Sequence, residues 1–242
     1  FYILYFYYSM TGSYTGKRKL NNGDAPQLIV SLTSYPKRIN NVWMVIETLL
    51  DQTYKPDSIM LWLYEGEFSG DEDIPDKLKE LEKRGLQIHY CKENLMPHKK
   101  YFYSMREYPN SLVITVDDDM LFHPNLIENL IDYHKKYPKA ICCSILRKIK
   151  TENGKLMPYR DWDYLHKSTP PDFKNHVMGG GGTLFPVSSL HPDAFKVELI
   201  KEYTLRTDDL WLKAMSLKQN TRVASVSGEY KRHFLPIIYK DD

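Results

Sequence analysis

Between residues 27 and 146, short apolar runs alternate with segments whose apolar residues recur at helical spacing. Leu28, Ile29, Val30, Ser31 and Leu32 form the first run, and Thr33-Ser34-Tyr35-Pro36 closes it. Runs at 59–63, 86–90, 112–116 and 140–146 repeat the pattern, the one at 112–116 being rich in β-branched side chains. Between them, Val42, Val45, Ile46, Leu49 and Leu50 predict a helix that Pro56 stops. A charged helix opens at Pro75, carries Leu78 and Leu81, and ends at Gly85. Further helices are expected over 99–107, ended by Pro109, and over 124–136, where Leu126, Ile127, Leu130 and Ile131 share one face. Strands that are apolar without interruption must be buried on both faces, and helices between them supply the cover. The chain is therefore read as an α/β protein with a mostly parallel, Rossmann-like sheet flanked by helices. In such sheets ligands bind beyond the carboxyl ends of the strands, so the residues just after each run carry the interest.

After Arg147 the rhythm breaks. Residues 150–177 are polar and rich in Pro, Trp and Tyr, with no clear period. Helical stretches at 193–203 and 207–219 and a strand at 222–226 follow. This predicts one domain over 27–242, with a nucleotide-binding half at 27–146 and an irregular acceptor-binding half at 147–242. A chain of 242 residues that is 42% hydrophobic can bury one sizeable core of this kind. Lys and Arg total 33 against 31 Asp and Glu, so no global positive field exists to hold nucleic acid. The cysteines, Cys91, Cys142 and Cys143, give neither a paired framework nor a zinc spacing, which fits a reducing, cytoplasmic compartment. Phe1 to Met10 are almost wholly aromatic and aliphatic but too short to span a bilayer. The segment 1–26 is read as a docking element, for peripheral membrane association or a neighbouring protein, as an element covering part of the core, or as partly disordered.

The chemistry concentrates where Leu112-Val113-Ile114-Thr115-Val116 runs into Asp117-Asp118-Asp119. Three adjacent carboxylates at the mouth of a buried strand repel one another, and a cation should compensate. Hard divalent cations such as Mg²⁺ or Mn²⁺ prefer such oxygens. Alternation along an extended strand gives Asp117 and Asp119 a common direction. The competing reading is an acidic cap on the following helix. Thr207-Asp208-Asp209-Leu210-Trp211-Leu212 also has two readings, an N-cap with acids in the first turn or a rigidly held general base. Met178 is followed by four glycines, Gly179 to Gly182, whose backbone can approach another molecule closely or serve as a hinge. No strand is expected before this run and no helix after it, so it is not the dinucleotide fingerprint. Lys37-Arg38 and His98-Lys99-Lys100 lie on the expected ligand edge, where phosphates would need positive charge. His233, in a basic C-terminal stretch, is a candidate third metal ligand.

Five segments together resemble the GT-A glycosyltransferases near glycosyltransferase family 2, in a bacterial branch that builds surface polysaccharides. They are LIVSLTSYPKRI at 28–39, HKKYF at 98–102, LVITVDDDM at 112–120, GGGGTLFP at 179–186 and TDDLWL at 207–212. The resemblance implies a DxD-type site in which Asp117 and Asp119 hold the metal, with Asp117 and Asp118 beside the nucleotide-sugar. It implies Asp209 as catalytic base with Asp208 its acidic neighbour, and Thr33, Tyr35 and Arg38 along the nucleotide. It also implies that the run containing Gly180 and Gly181 floors the space between donor and acceptor; Lys99, Lys100 or Arg38 is expected to add positive charge near the leaving group. Two family signatures are altered: Thr33-Ser34-Tyr35-Pro36 replaces the usual Pro-x-Tyr-Asn turn, and Leu63-Tyr64-Glu65-Gly66 replaces Asp-Asp-Gly-Ser, leaving Glu65 as a stand-in. The implied activity is inverting, metal-dependent transfer from a nucleoside-diphosphate sugar to a glycan or lipid-linked acceptor, at the inner face of the cell membrane.

Two other readings compete. A nucleotidyltransferase acting on sugar phosphates also uses clustered carboxylates and metal, but residues 31–38 lack the glycine-rich loop it would want. A non-catalytic carbohydrate binder could stack sugars on Tyr159-Arg160-Asp161-Trp162-Asp163-Tyr164, yet it has no need of the acidic triplet.

Overall fold

A computed structural model describes residues 26–165, 167–226 and 234–237. In chain order the elements are β1 (Leu28–Thr33), α1 (Ile39–Leu50), β2 (Ser58–Tyr64), α2 (Asp76–Glu82), β3 (Leu86–Cys91), α3 (Lys99–Glu107), β4 (Leu112–Thr115), β5 (Met120–Phe122), α4 (Leu126–Lys136) and β6 (Ile141–Cys143). There follow β7 (Leu146–Lys148), β8 (Thr151–Glu152), β9 (Lys155–Leu156), β10 (Asp163–Leu165), β11 (Thr169–Asp172), β12 (Asn175–Val177) and β13 (Thr183–Phe185). The last are α5 (Val197–Tyr203), α6 (Asp208–Lys218), β14 (Val223–Ser225) and β15 (Phe234–Pro236).

Eight strands form one sheet in the order β11-β14-β6-β13-β4-β1-β2-β3. β4, β1, β2 and β3 run parallel, as do β6 and β14, so the expected mostly parallel sheet is present. Both faces are buried. On one, Val30, Leu32, Leu61 and Ile114 pack with apolar residues of α1, α2 and α4. On the other, Ile141, Cys143, Phe185 and Val223 pack with residues of α3, α5 and α6. That two-sided burial is why these strands read as unbroken apolar runs.

The sheet departs from the sequence expectation at its centre. The run at 140–146 divides into β6 and β7, and antiparallel β13 lies between β6 and β4. The division falls where the glycine run presses on the chain: Ser144 Oγ donates to the Gly181 carbonyl at 2.5 Å, and a Cβ on Gly181 would overlap Ile145. Residues 150–177 are not structureless either. They form a hairpin, β8-β9, and supply β10 and β12 to a three-stranded antiparallel sheet with β7. A strand, β12, therefore does precede the glycines. Strands of two or three residues are too short to show a period in sequence.

Buried hydroxyls set the start of α3 against β1. Ser31 Oγ donates to the Lys100 carbonyl at 2.5 Å, Ser104 Oγ donates to Ser31 Oγ at 2.7 Å, and Trp62 Nε1 donates to Ser104 Oγ at 2.7 Å. These bonds fix Lys100 beneath the end of β4, where the acidic triplet begins.

Candidate active site

Asp117, Asp118 and Asp119 leave β4 into a ring of donors. Arg38, just before α1, places one guanidinium nitrogen 3.0 Å from Asp118 Oδ1 and 2.8 Å from Asp119 Oδ2. Ser34 Oγ donates to the other Asp118 oxygen at 2.5 Å. Asp118 is buried, and burial raises its pKa although Ser34 and Arg38 pull the other way. Burial also raises Asp119, with the neighbouring Asp117 charge adding to it. Lys100 completes the ring: its Nζ lies 2.6 Å from Asp117 Oδ1 and 2.9 Å from Asp208 Oδ2. The second contact is an ion pair rather than an aligned hydrogen bond. Burial alone would lower the Lys100 pKa, but Asp117, Asp208 and Asp209 outweigh it and hold the ammonium well above its ordinary value. Thus Arg38 and Lys100 supply compensating charge to the triplet.

The cluster fits a hard divalent cation as well. Asp119 Oδ1 is buried with no hydrogen-bond partner among the described residues, an oxygen free for a metal. Among the described residues no group of three or more His, Cys, Asp or Glu forms a metal cage. Mg²⁺ and Mn²⁺ sites on phosphate substrates commonly use only one or two carboxylates, with phosphate oxygens and water filling the shell. Asp117 and Asp119 meet that pattern. His233 lies outside the described residues, as do residues 1–25 of the aromatic segment.

On the opposite side, Thr207 occupies the N-cap position of α6 but its side chain makes no capping bond. Asp208 turns inward to Lys100, and Asp209 Oδ1 accepts the Gly179 backbone N–H at 2.8 Å. Burial first, and then the Asp208 charge, push the Asp209 carboxyl up to about 7. A carboxylate near neutrality is matched to general-base work.

The glycines lie between the two acidic groups. Gly179–Gly181 form a single 3-10 turn, and the Gly180 carbonyl accepts the Asp117 N–H at 3.3 Å. A Cβ on Gly180 would overlap Asp117 Oδ2, and one on Gly179 would lie 2.6 Å from Asp209 Oδ1. Here glycine is demanded by close approach, not by hinge motion.

Beside the triplet opens a cleft of about 420 Å³ lined by Thr33, Ser34, Tyr35, Arg38, Glu67, Asn94, Met96, Pro97, Lys99, Asp117 and Asp118. Thr33, Tyr35, Arg38 and Lys99 therefore meet at one place. Lys99 Nζ donates to Asn94 Oδ1 at 3.3 Å, and burial lowers its pKa. Lys100 lies deeper, sealed between Asp117 and Asp208. Glu65 does not line the cleft; Glu67, two residues on, does, and its Oε1 accepts from Asn94 Nδ2 at 3.1 Å. Ser34, Glu67, Asn94, Met96 and Pro97 were not singled out in the sequence. The signal for the last three was position, since they follow β3 on the ligand edge. Met96 also holds a left-handed backbone, φ 51°, a strained conformation that often marks functional surfaces.

A model of the family described as glycosyl transferase family 2 matches residues 34–191. No curated protein matches the sequence. Among solved structures, S. aureus TarS 1-349 in complex with UDP-GlcNAc is similar with a TM-score of 0.58 at 10% identity, covering 89% of this chain and 60% of that one. A structure of S. aureus TarS gives 0.55 at 10% identity, over 88% of this chain and 37% of that one. The 4-diphosphocytidyl-2C-methyl-D-erythritolsynthase from Anaerococcus prevotii DSM 20548 gives 0.51 at 18% identity, over 89% and 94%. The present chain thus spans 60% of the length of TarS 1-349. At these identities the structural likeness is one of fold. Among the described residues, no helix is long and apolar enough to cross a membrane.

Proposed function

The chain belongs to glycosyl transferase family 2, and from that premise we propose that it moves a sugar from a nucleoside-diphosphate sugar to a hydroxyl of a glycan or lipid-linked acceptor, with inversion. The observation that carries the reading is the meeting of two acidic groups distant in sequence, through one lysine 2.6 Å from Asp117 and 2.9 Å from Asp208. A carbohydrate-binding module would have no need to bury such charge.

In this reading the nucleotide lies along Thr33, Tyr35 and Arg38, with Lys99 beside the diphosphate. A divalent cation, Mn²⁺ or Mg²⁺, held by Asp117 and Asp119, would supply positive charge to the diphosphate. Asp209 takes the proton of the acceptor hydroxyl, whose oxygen bonds to the anomeric carbon. The bond from that carbon to the diphosphate breaks, and its electron pair leaves on the diphosphate oxygen. Attack from the face opposite the leaving group inverts the anomeric centre. Gly179 orients Asp209 through its N–H, and Lys100 pairs with Asp208 without approaching the substrate itself. The free, buried cysteines fit a reducing compartment, so we place the reaction in the cytoplasm, at the inner membrane face when the acceptor is lipid-linked.

The fold is shared with a 4-diphosphocytidyl-2C-methyl-D-erythritolsynthase, so product identity is the decisive assay. Incubation with UDP-GlcNAc, other nucleotide-sugars and Mn²⁺ should release nucleoside diphosphate. Release of pyrophosphate from nucleoside triphosphate and sugar phosphate would establish the other chemistry.

A further inference from the structure

Arg147 stands at the centre of a cross-strand row in the small sheet β10-β7-β12. It lies directly opposite Tyr164 on one side and His176 on the other. Directly opposed residues of antiparallel strands present their side chains on the same face. The Arg147 guanidinium lies 4.9 Å from the centre of the Tyr159 ring and 5.8 Å from that of Tyr164. His176 meets the Tyr159 ring edge-on at 5.6 Å. Tyr159 and Tyr164 are each 39% exposed, so the row opens to solvent.

Several polar groups around this row have no hydrogen-bond partner among the described residues. Arg147 makes no ion pair with a carboxylate among the described residues; NH1 donates to the Tyr159 carbonyl at a long 3.4 Å. Its Nε is buried with no hydrogen-bond partner among the described residues. The same holds for both ring nitrogens of His176, which is fully buried, and for Nζ of Lys213 on α6. Burial, with the Lys213 and Arg147 charges adding to it, holds His176 down to about 4, so the imidazole is neutral. Arg147 Nε and Lys213 Nζ are donors, and the neutral His176 adds one N–H and one acceptor nitrogen; buried donors are nearly always satisfied, and cationic ones set close together call for an anion.

The row also adjoins the proposed base. His176 precedes by three residues the Gly179 whose N–H holds Asp209. Burial raises the Tyr159 hydroxyl, Arg147 opposes that rise, and the Asp209 charge adds to it.

We propose that Tyr159, Tyr164 and Arg147 form the acceptor platform, and that Arg147 selects acceptors bearing a phosphate or carboxylate group. This rests on Asp209 being the base of sugar transfer. The planar guanidinium matches the paired oxygens of either anion, while the tyrosine rings offer apolar faces to a sugar and polar hydroxyls to its rim. Cation–π contact with both rings helps hold the guanidinium in place before the ligand arrives.

Ligand-observed NMR of the full chain with methyl β-glucoside, methyl β-glucuronide and methyl β-glucoside 6-phosphate tests this without any donor present. At least one anionic glycoside should bind about tenfold more tightly than the neutral one, as a charge-assisted contact predicts. Arg147→Gln should erase that preference and Arg147→Lys should keep part of it, with UDP binding unchanged in both. Which anion wins separates a phosphate-bearing from a carboxylate-bearing acceptor. Equal binding of all three glycosides, or an anion preference that survives Arg147→Gln, would overturn the proposal. Because UDP binding is read separately, loss of the donor reading would show as absent UDP binding with the glycoside preference intact.

Discussion

The backbone N–H of Gly179 donates to Asp209 Oδ1 at 2.8 Å, and a Cβ on that same glycine would lie 2.6 Å from the same oxygen. Gly179 therefore both holds the carboxylate and leaves room for it. Gly179→Ala should displace Asp209 and lower kcat about a hundredfold, the usual cost of misplacing a reacting group by an ångström. Kd for nucleoside diphosphate, measured by calorimetry, should stay put, because the cleft lies on the Asp118 side of the turn.

Lys100 is 2% exposed and bridges Asp117 and Asp208. Lys100→Met would leave Asp208 buried beside Asp209 with no cation. Breaking one side of a buried pair costs about 3–5 kcal/mol. Chemical denaturation should show a loss of that order, and adding Asp208→Asn to Lys100→Met should recover part of it.

The raised pKa of Asp209 has two pH consequences of fixed sign. As a base it must be ionised, so kcat/KM should rise with pH and level off above about 7. For stability, a carboxyl raised in the fold from 3.8 to about 7 favours folding most below the lower value, and that contribution is lost as pH rises through the higher. Asp209→Asn should therefore gain stability relative to the parent between about pH 4 and pH 8, read as a widening difference in Tm.

Asp119 offers a buried, unpartnered oxygen where Asp118 has both of its oxygens engaged by Arg38 and Ser34. Asp119→Asn should weaken Mn²⁺-dependent binding of nucleoside diphosphate about tenfold or more, while binding in chelator is little changed. Equal effects with and without Mn²⁺ would assign Asp119 to Arg38 alone.

Much of this was legible in the sequence because it was local. The apolar runs ending at Leu32 and Val116 are buried on both faces, so their composition announces strands, and the residues after them announce the ligand edge. What could not be read depends on contacts between distant segments. Nothing near Lys100 indicates that its ammonium will be sealed between Asp117 and Asp208 rather than turned to a substrate. The antiparallel insertion of β13 is hidden because three residues after a glycine run carry no period. The offset from Glu65 to Glu67 reflects the tight turn after β2, where Phe68 N bonds back to the Tyr64 carbonyl and swings the next residues toward Asn94. The row Tyr164-Arg147-His176 exists only through strand register, which sequence spacing does not convey.

The most direct test is sugar transfer by Asp209→Asn, assayed beside nucleoside-diphosphate binding by the same preparation. The account predicts a fall in transfer of about a hundredfold to ten-thousandfold, the span expected for loss of a general base, with nucleoside-diphosphate affinity preserved. Transfer at the parental rate, or nucleotide binding lost in step with transfer, would contradict it.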